Sequence, residues 1–239
     1  MYLIVLASGR GSRLGNLTKH KPKCFLKLNN KHIIDYLTPA FKYFEKIFIV
    51  VGYKKNKFNT KNFKNTKIIF NKNFKNTNMV ESLFCFHKKI NKDCIVVYSD
   101  ILFDHSILIN LIKKKGSIMP VYINWLRLWK KRMAFKNIKF DAENITINKN
   151  YISDIGGPIK KKFPSTQYMG IVKLKKFDFG NLKKFYVNLK NNKIDMTRFL
   201  NLALKKKIVR IKAYKTKKFW FEIDTVKDFK LANNFFTNN

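Results

Sequence analysis

The sequence predicts a three-layer α/β fold, with a mixed, mostly parallel sheet and helices on both faces. Three observations carry that prediction. Short apolar runs recur through the first half, at residues 2–6, 47–51, 68–70 and 94–98. Between them lie stretches with helical spacing of apolar residues, the alternation expected of a parallel sheet with crossover helices. The first run leads directly into Gly9 and Gly11, and strand ends at one edge of such a sheet are where α/β ligands bind. The 239 residues, 46% of them hydrophobic, suit one domain that buries its core without disulfides or a structural metal.

The elements follow in order. Residues 33–44 set Ile33, Ile34, Leu37, Phe41 and Phe44 at helical spacing. Residues 79–89 read as a helix capped by Thr77 or Asn78. The strand over 94–98 ends at Ser99-Asp100, and a helix over 104–115 and a strand over 117–122 follow. The second half is less regular. It holds a hairpin, 142–148 and 151–155, around Lys149-Asn150, then a strand over 168–173. A helix over 195–206, a strand over 209–214 and a closing helix over 225–235 complete it. The Lys160-Lys161-Lys162 run between Pro158 and Pro164 reads as an exposed loop. The expected plan is a single domain, with a ligand-binding core over about 1–122 and a small β-rich region plus the closing helix over 123–239.

Composition narrows the function. No apolar run nears the roughly 20 residues of a membrane span. Residues 1–6 lack the basic start of a signal peptide, so a cytoplasmic protein is expected. Cys24, Cys85 and Cys94 have no C-x-x-C spacing and do not pair with His20, His32, His87 or His105 at zinc-finger spacing. They read as reduced thiols. The net charge of +37 invites a nucleic-acid reading. Yet the charge is almost all Lys, spread along the chain beside abundant Asn, Ile and Phe, as codon drift in an A+T-rich genome would produce. Arg, preferred for bidentate contacts, is scarce. Neither a dedicated nucleic-acid partner nor a membrane is expected. The charge draws in anionic substrates such as nucleotides.

The chemistry starts in Ala7-Ser8-Gly9-Arg10-Gly11-Ser12-Arg13-Leu14-Gly15. Gly9 and Gly11 let the backbone approach an anion, so that successive N–H groups point at phosphate oxygens. Arg13 can fork onto terminal phosphates. The pattern is neither Walker A nor G-x-G-x-x-G, and a glycine turn after a strand is equally an ordinary turn. Asp100 ends a strand and Asp224 precedes the last helix. Two hard carboxylates suit Mg²⁺ bound to triphosphate, although Asp224 would also serve as a helix cap and Asp100 as a loop residue.

Leu6-Ala7-Ser8-Gly9-Arg10-Gly11-Ser12-Arg13-Leu14 followed by Pro22-Lys23 resembles the signature of the nucleotide-sugar-pyrophosphorylase-like nucleotidyltransferases. Further stretches resemble the phosphocholine and phosphonate cytidylyltransferases of that family. They are Asn78-Met79-Val80-Glu81-Ser82-Leu83-Phe84, Tyr98-Ser99-Asp100-Ile101-Leu102, Asp141-Ala142-Glu143, Ser153-Asp154-Ile155-Gly156, Gln167-Tyr168-Met169-Gly170 and Trp220-Phe221-Glu222-Ile223-Asp224-Thr225, with Trp125, Trp129 and Lys130-Lys131-Arg132 among them. Ser8 departs from the alanine of many relatives.

The resemblance implies a Rossmann-like, Mg²⁺-dependent enzyme. It would join CMP from CTP to a small phosphoryl or phosphonyl acceptor and release pyrophosphate. The acceptor would be phosphocholine, 2-aminoethylphosphonate or a hydroxyalkylphosphonate. The nucleotide would lie on Leu6, Ala7, Ser8, Gly9, Gly11, Ser12, Arg13, Lys23, Asn78, Ser82 and Asp100, with Asp100 and Asp224 on the metal. Arg13, Lys23, Asp100 and Asp224 would carry catalysis. Trp125, Trp129, Arg132, Asp141, Glu143, Asp154 and Tyr168 are the acceptor-side candidates. The two tryptophans, four apart, are more often a packed helical stripe, with aromatic walls for an ammonium group as the alternative. A sugar-1-phosphate nucleotidyltransferase shares the loop, and a basic nucleic-acid-binding protein would use the charge. The oligomeric state stays open, with a homodimer as one option.

Overall fold

Strand β1 (Tyr2–Ala7) is buried at every position and lies between two parallel neighbours, as a strand covered on both faces must. The protein is described from a computed structural model over residues 1–58, 65–159 and 162–237. Further strands are β2 (Lys27–Leu28), β3 (Lys31–His32), β4 (Lys46–Val51), β5 (Thr66–Phe70), β6 (Cys94–Tyr98), β7 (Ile101–Phe103) and β8 (Ile118–Tyr122). The second half adds β9 (Glu143–Asn148), β10 (Tyr151–Pro158), β11 (Gln167–Tyr168), β12 (Ile171–Leu174), β13 (Lys212–Thr216) and β14 (Trp220–Glu222). The helices are α1 (Met79–Phe84), α2 (Ser106–Lys113), α3 (Trp125–Arg132), α4 (Phe135–Asp141), α5 (Lys176–Leu189), α6 (Met196–Lys205) and α7 (Val226–Thr237).

The main sheet runs β5-β4-β1-β6-β12-β8-β13-β10-β9, with β11 paired to β8. Strands β5, β4, β1 and β6 are mutually parallel. The chain moves outward from β1 through β4 to β5, then returns to β6 on the other side of β1. That reversal makes the ends of β1 and β6 a topological switch point, closed by the Ser99 N–H, which donates to the Leu6 carbonyl at 3.1 Å. Beyond β6, β12 is antiparallel to both β6 and β8, and β13 is parallel to β8. One sheet therefore runs through both halves of the chain. Among the described residues no helix is long and apolar enough to cross a membrane.

A second, two-stranded sheet decides the site. β7 pairs antiparallel with β14, Ile101 opposite Glu222, and the Ile223 N–H donates to the Asp100 carbonyl at 2.9 Å. This ribbon sets the residues after β14 beside the end of β6. Its three-residue strands are too short to announce themselves by periodicity.

Most expected elements are present, with differences of local cause. The helix expected over 33–44 is two 3₁₀ turns, Ile33–Tyr36 and Thr38–Tyr43. Pro39 has no N–H for the Asp35 carbonyl, and Thr38 Oγ1 donates to it instead at 2.9 Å. The helix expected over 79–89 stops at Phe84, whose carbonyl is taken by His87 Nδ1 at 2.9 Å. The strand expected over 168–173 breaks at Gly170, which has φ 73 and lies under the Tyr98 ring. The strand expected over 209–214 is β13, shifted toward its C-terminal side. The hairpin at Lys149-Asn150 is present, with φ 46 and 67, the left-handed pair of a two-residue turn. α4 and α5 were not expected. In α5, Phe179, Leu182 and Tyr186 form the buried face despite the surrounding lysines. Lys162 is exposed, and Lys160 and Lys161 lie outside the described residues.

Gly52 joins β4 to the glycine turn. A Cβ there would stand 2.6 Å from Phe74 Cβ and 2.7 Å from the Ser8 carbonyl oxygen. Gly52→Ala is expected to cost about 1–3 kcal/mol of stability through overpacking, read from urea unfolding.

Candidate active site

At the switch point lies a cleft of about 460 Å³. Every residue expected to bind nucleotide lines it: Leu6, Ala7, Ser8, Gly9, Gly11, Ser12, Arg13, Lys23, Asn78, Ser82 and Asp100. Ser8 anchors the turn, since its hydroxyl donates to the Val50 carbonyl at 3.2 Å and its carbonyl accepts from the Tyr53 N–H at 3.1 Å. Gly11 has φ 67, and a Cβ on it would stand 3.1 Å from Lys23 Cβ. Glycine at this position lets the turn lie against Lys23. Thr18 Oγ1 fastens the turn by donating to the Gly11 carbonyl at 2.8 Å. On the opposite wall, buried Asn71 Nδ2 donates to Ser82 Oγ at 3.0 Å. Asn78 caps α1, its Oδ1 accepting from the Met79 N–H at 2.7 Å.

Charges meet at the base of the cleft. Lys23 Nζ lies 2.8 Å from Asp100 Oδ2 and 2.6 Å from Asp224 Oδ1, and Arg13 Nη2 lies 3.0 Å from Asp224 Oδ2. The Lys23 side chain is 12% exposed and that of Arg13 63%, so the lysine pairs are the strong ones. Burial works against the Lys23 ammonium, but Asp100 and Asp224 outweigh it and hold its pKa above the ordinary lysine range. Burial also opposes charge on Asp224, yet Lys23, Arg13 and Arg132 pull that carboxyl below the usual range. Glu222 behaves oppositely: burial, then the charges of Asp224 and Asp100, push its carboxyl up to about 8.

Asp224 does not cap α7. Thr225 does, its Oγ1 accepting from the Asp228 N–H at 3.2 Å. Among the described residues no group of three or more His, Cys, Asp or Glu side chains could hold a metal alone. The Asp100–Asp224 pair nevertheless fits Mg²⁺. Oxygens of both already converge on one cation, and Asp100 Oδ1 is buried without a hydrogen-bond partner. Mg²⁺ takes one or two carboxylates and completes its shell with phosphate oxygens and water.

A second cavity of about 240 Å³ adjoins the first, and Arg13, Met79, Tyr98, Glu222 and Asp224 line both. Trp129 and Trp220 stack at 5.6 Å and 23° to form part of its wall, with Tyr168 also lining it. Asp141, Glu143 and Asp195 supply carboxylates. Trp129 Nε1 donates to Asp141 Oδ2 at 2.8 Å, and Thr197 Oγ1 lies 2.8 Å from Glu143 Oε1 and 3.0 Å from Asp195 Oδ1. Burial raises the Glu143 carboxyl, helped by Asp195 and Asp141, against the Thr197 hydrogen bond.

Trp129, Asp141, Glu143 and Tyr168 thus line this cavity as expected, and three other acceptor-side candidates do not. Trp125 is core: it is 1% exposed, packs on Trp129 and Phe163, and spends its N–H on the Pro164 carbonyl at 2.9 Å. A register shift after Ile152 sets Asp154 opposite exposed Thr146, and so facing away; it pairs with Lys205 at 3.3 Å and accepts from Asn144 Nδ2 at 2.9 Å. Arg132 is buried beneath the cavity wall, paired with Asp228. Sequence reasoning gave no role to Trp220, Glu222 or Asp195. The first two stand in the same stretch as Asp224, and Asp195 reads as the α6 cap it also is, accepting from the Arg198 N–H at 2.8 Å.

A glycine turn facing a buried lysine and two carboxylates, at the switch point of a mostly parallel sheet, is the arrangement expected of a nucleotidyltransferase site. The MobA-like NTP transferase domain matches residues 3–123, and the chain belongs to that family. It is 32% identical over 257 residues to the CTP:phosphoglutamine cytidylyltransferase of Campylobacter jejuni subsp. jejuni, covering 97% of this chain and 98% of that one. It is 28% identical over 243 residues to the bifunctional protein GlmU of Methanococcus vannielii, covering 100% of this chain and 56% of that relative. Its fold matches the inositol-1-phosphate CTP transferase from T. maritima with a TM-score of 0.75, at 21% identity, over 97% of this chain and 94% of that one. The CTP:phosphocholine cytidylyltransferase of Streptococcus pneumoniae matches with a TM-score of 0.73 at 19% identity, over 98% of each chain.

Lys23→Met would leave two shielded carboxylates, Asp100 and Asp224, without their central counter-charge. It is expected to cost about 3 kcal/mol, measured by urea unfolding. Added Mg²⁺ should recover part of that loss in the variant and add little to wild type, because ligands that bind only the folded state stabilise it. A variant as stable as wild type would show that the carboxylates do not depend on Lys23.

Proposed function

We propose that this protein is a cytoplasmic, Mg²⁺-dependent cytidylyltransferase. It joins CMP from CTP to a small phosphorylated or phosphonate acceptor that carries an ammonium group, and releases pyrophosphate. The observation that carries the reading is the shared wall: Arg13, Glu222 and Asp224 line both the glycine-turn cleft and the acidic, aromatic cavity. A triphosphate in the first and an acceptor in the second meet beside Asp224. CTP as the nucleotide is supported by the 32% identical relative, a CTP:phosphoglutamine cytidylyltransferase.

The attacking oxygen of such an acceptor is already anionic, so the reaction needs no general base. The work is to bring two anions together and to stabilise the charge that develops on pyrophosphate. Backbone amides of residues 9–12 and Arg13 hold the β- and γ-phosphates. Lys23 offsets repulsion between the acceptor oxygen and the α-phosphate. Asp100 and Asp224 would hold Mg²⁺, which would supply further neutralisation of charge on the triphosphate.

The second cavity favours a cation in the acceptor. Trp129, Trp220 and Tyr168 line part of its wall, and Asp141, Glu143 and Asp195 stand beside them in a chain with only 14 acidic residues against 51 basic ones. An ammonium gains roughly 0.5–2 kcal/mol from each good aromatic face, and a nearby carboxylate adds to that where solvent is excluded. Phosphocholine, 2-aminoethylphosphonate and a phosphorylated amino acid all present such a group. A neutral sugar phosphate or a hydroxyalkylphosphonate does not.

The test is pyrophosphate release across CTP, ATP, GTP and UTP with phosphocholine, phosphoglutamine, 2-aminoethylphosphonate, 2-hydroxyethylphosphonate and glucose 1-phosphate. CTP is expected to lead. An ammonium-bearing acceptor should exceed the hydroxyl compound by at least about tenfold in kcat/KM, which needs only roughly 1.4 kcal/mol. Trp220→Ala and Glu143→Gln should erode that margin more than CTP affinity. Asp100→Asn and Asp224→Asn should each lower turnover by more than about 10²-fold. Near-normal turnover in either variant would remove that residue from the metal pair. A leading sugar phosphate would make the protein a sugar nucleotidyltransferase.

A further inference from the structure

Arg132 has a place in the structure that the site as described does not explain. Its side chain is 3% exposed and lines neither cavity. Its Nε donates to Asp228 Oδ1 at 2.7 Å and its Nη2 to Asp228 Oδ2 at 3.2 Å. Asp228, equally buried, accepts at Oδ2 from the Asp224 N–H at 3.2 Å, the Thr225 N–H at 2.8 Å and Thr225 Oγ1 at 2.9 Å. The backbone that carries Asp224 thus hangs from one carboxylate oxygen, and a guanidinium fork fixes that carboxylate. The same guanidinium lies over the Trp129 ring, 4.3 Å from its centroid. Its Nη1, buried without a hydrogen-bond partner, lies 3.7 Å from Glu222 Oε2. Trp129 and Glu222 are walls of the second cavity.

Two simpler explanations fall short. Capping α7 takes Thr225 and Asp228 alone and needs no arginine from α3. Stability is a weak reason as well, because well-packed apolar side chains often replace buried ion pairs without loss. What the pair does achieve is a continuous connection from the second cavity's wall, through one rigid planar group, to the turn bearing Asp224.

We infer that Arg132, acting through Asp228, is a positioning residue: it sets the Asp224 carboxylate and couples it to the acceptor-side wall. The inference rests on the reading of Asp224 as a metal-holding carboxylate. Groups that orient metal ligands from behind commonly govern metal affinity, and the fork explains why the residue is arginine and not lysine.

The test substitutes Arg132→Lys, which keeps the charge and loses the fork, and separately Asp228→Asn, which keeps the volume. Mn²⁺ affinity in the presence of CTP is read by electron paramagnetic resonance, alongside thermal melting and steady-state kinetics. Each variant should bind Mn²⁺ at least about tenfold more weakly and lose kcat, while KM for CTP stays within about threefold. The double variant should be little worse than either single one, because the two residues act as one unit. A lowered melting temperature with Mn²⁺ affinity and kcat within about twofold of wild type would reduce the pair to a structural contact, leaving the site reading intact. Additive losses in the double variant would likewise overturn the inference. If wild type holds no Mn²⁺ with any of the four triphosphates, the metal reading of Asp224 fails first and the inference falls with it.

Discussion

Lys23 between Asp100 and Asp224 is the contact on which the rest of the arrangement depends. Three parts of the chain must arrive together to make it: the segment after the glycine turn, the end of β6, and the residues after β14. At 2.6–2.8 Å each attraction amounts to several kcal/mol of Coulomb energy, even at an effective dielectric of about 20, before the cost of desolvation is counted. Gly11 is bare so that Lys23 can lie against the turn, and Ser99 is bonded to Leu6 so that Asp100 follows directly. The ribbon of β7 and β14 brings the second carboxylate. The same opposition of charges gives the site its chemistry, because a lysine that neutralises carboxylates in the free protein stands within reach of phosphates when they arrive.

The charge of the chain acquires meaning against that centre. The 14 acidic residues face 51 basic ones. Seven of the 14, namely Asp100, Asp141, Glu143, Asp195, Glu222, Asp224 and Asp228, lie in the two cavities or directly behind them. The exterior therefore attracts anions from every side, while the floor is locally acidic. The proposed acceptor, anionic at one end and cationic at the other, would be drawn in by its phosphate and oriented by its ammonium. That profile differs from a nucleic-acid groove, in which positive charge continues along the contact surface.

The lining of the glycine-turn cleft was legible in the sequence because its parts are contiguous. The glycine turn, Pro22-Lys23 and Ser99-Asp100 each adjoin a recognisable strand or turn, and all of them line one cleft. The lining of the second cavity was legible only in part, because there a side chain's direction matters more than its type. Asp154 and Glu143 looked alike as rare acids, but a register shift after Ile152 sets Asp154 on the outward face opposite Thr146, while Glu143 shares the inward face of β9 with Ile145. Trp125 and Trp129 share a helix face, yet the first is spent on packing and only the second reaches the cavity. Glu222 and Trp220 were hidden by the ribbon, whose strands carry no periodic signal. The helix expected over 33–44 failed on a single residue, Pro39, whose missing N–H outweighed a well-spaced apolar face.

The ribbon also has a consequence for how activity is acquired during synthesis. The glycine turn, Lys23 and Asp100 all precede α2, whereas Asp224 follows β14, 124 positions after Asp100. A partly made chain can build the parallel half of the sheet and its phosphate turn, because β1, β4, β5 and β6 need nothing downstream to pair. It then holds Lys23 beside one carboxylate instead of two. Only when β14 docks on β7 does the second carboxylate enter. Docking of the ribbon and completion of the charged centre are therefore the same event.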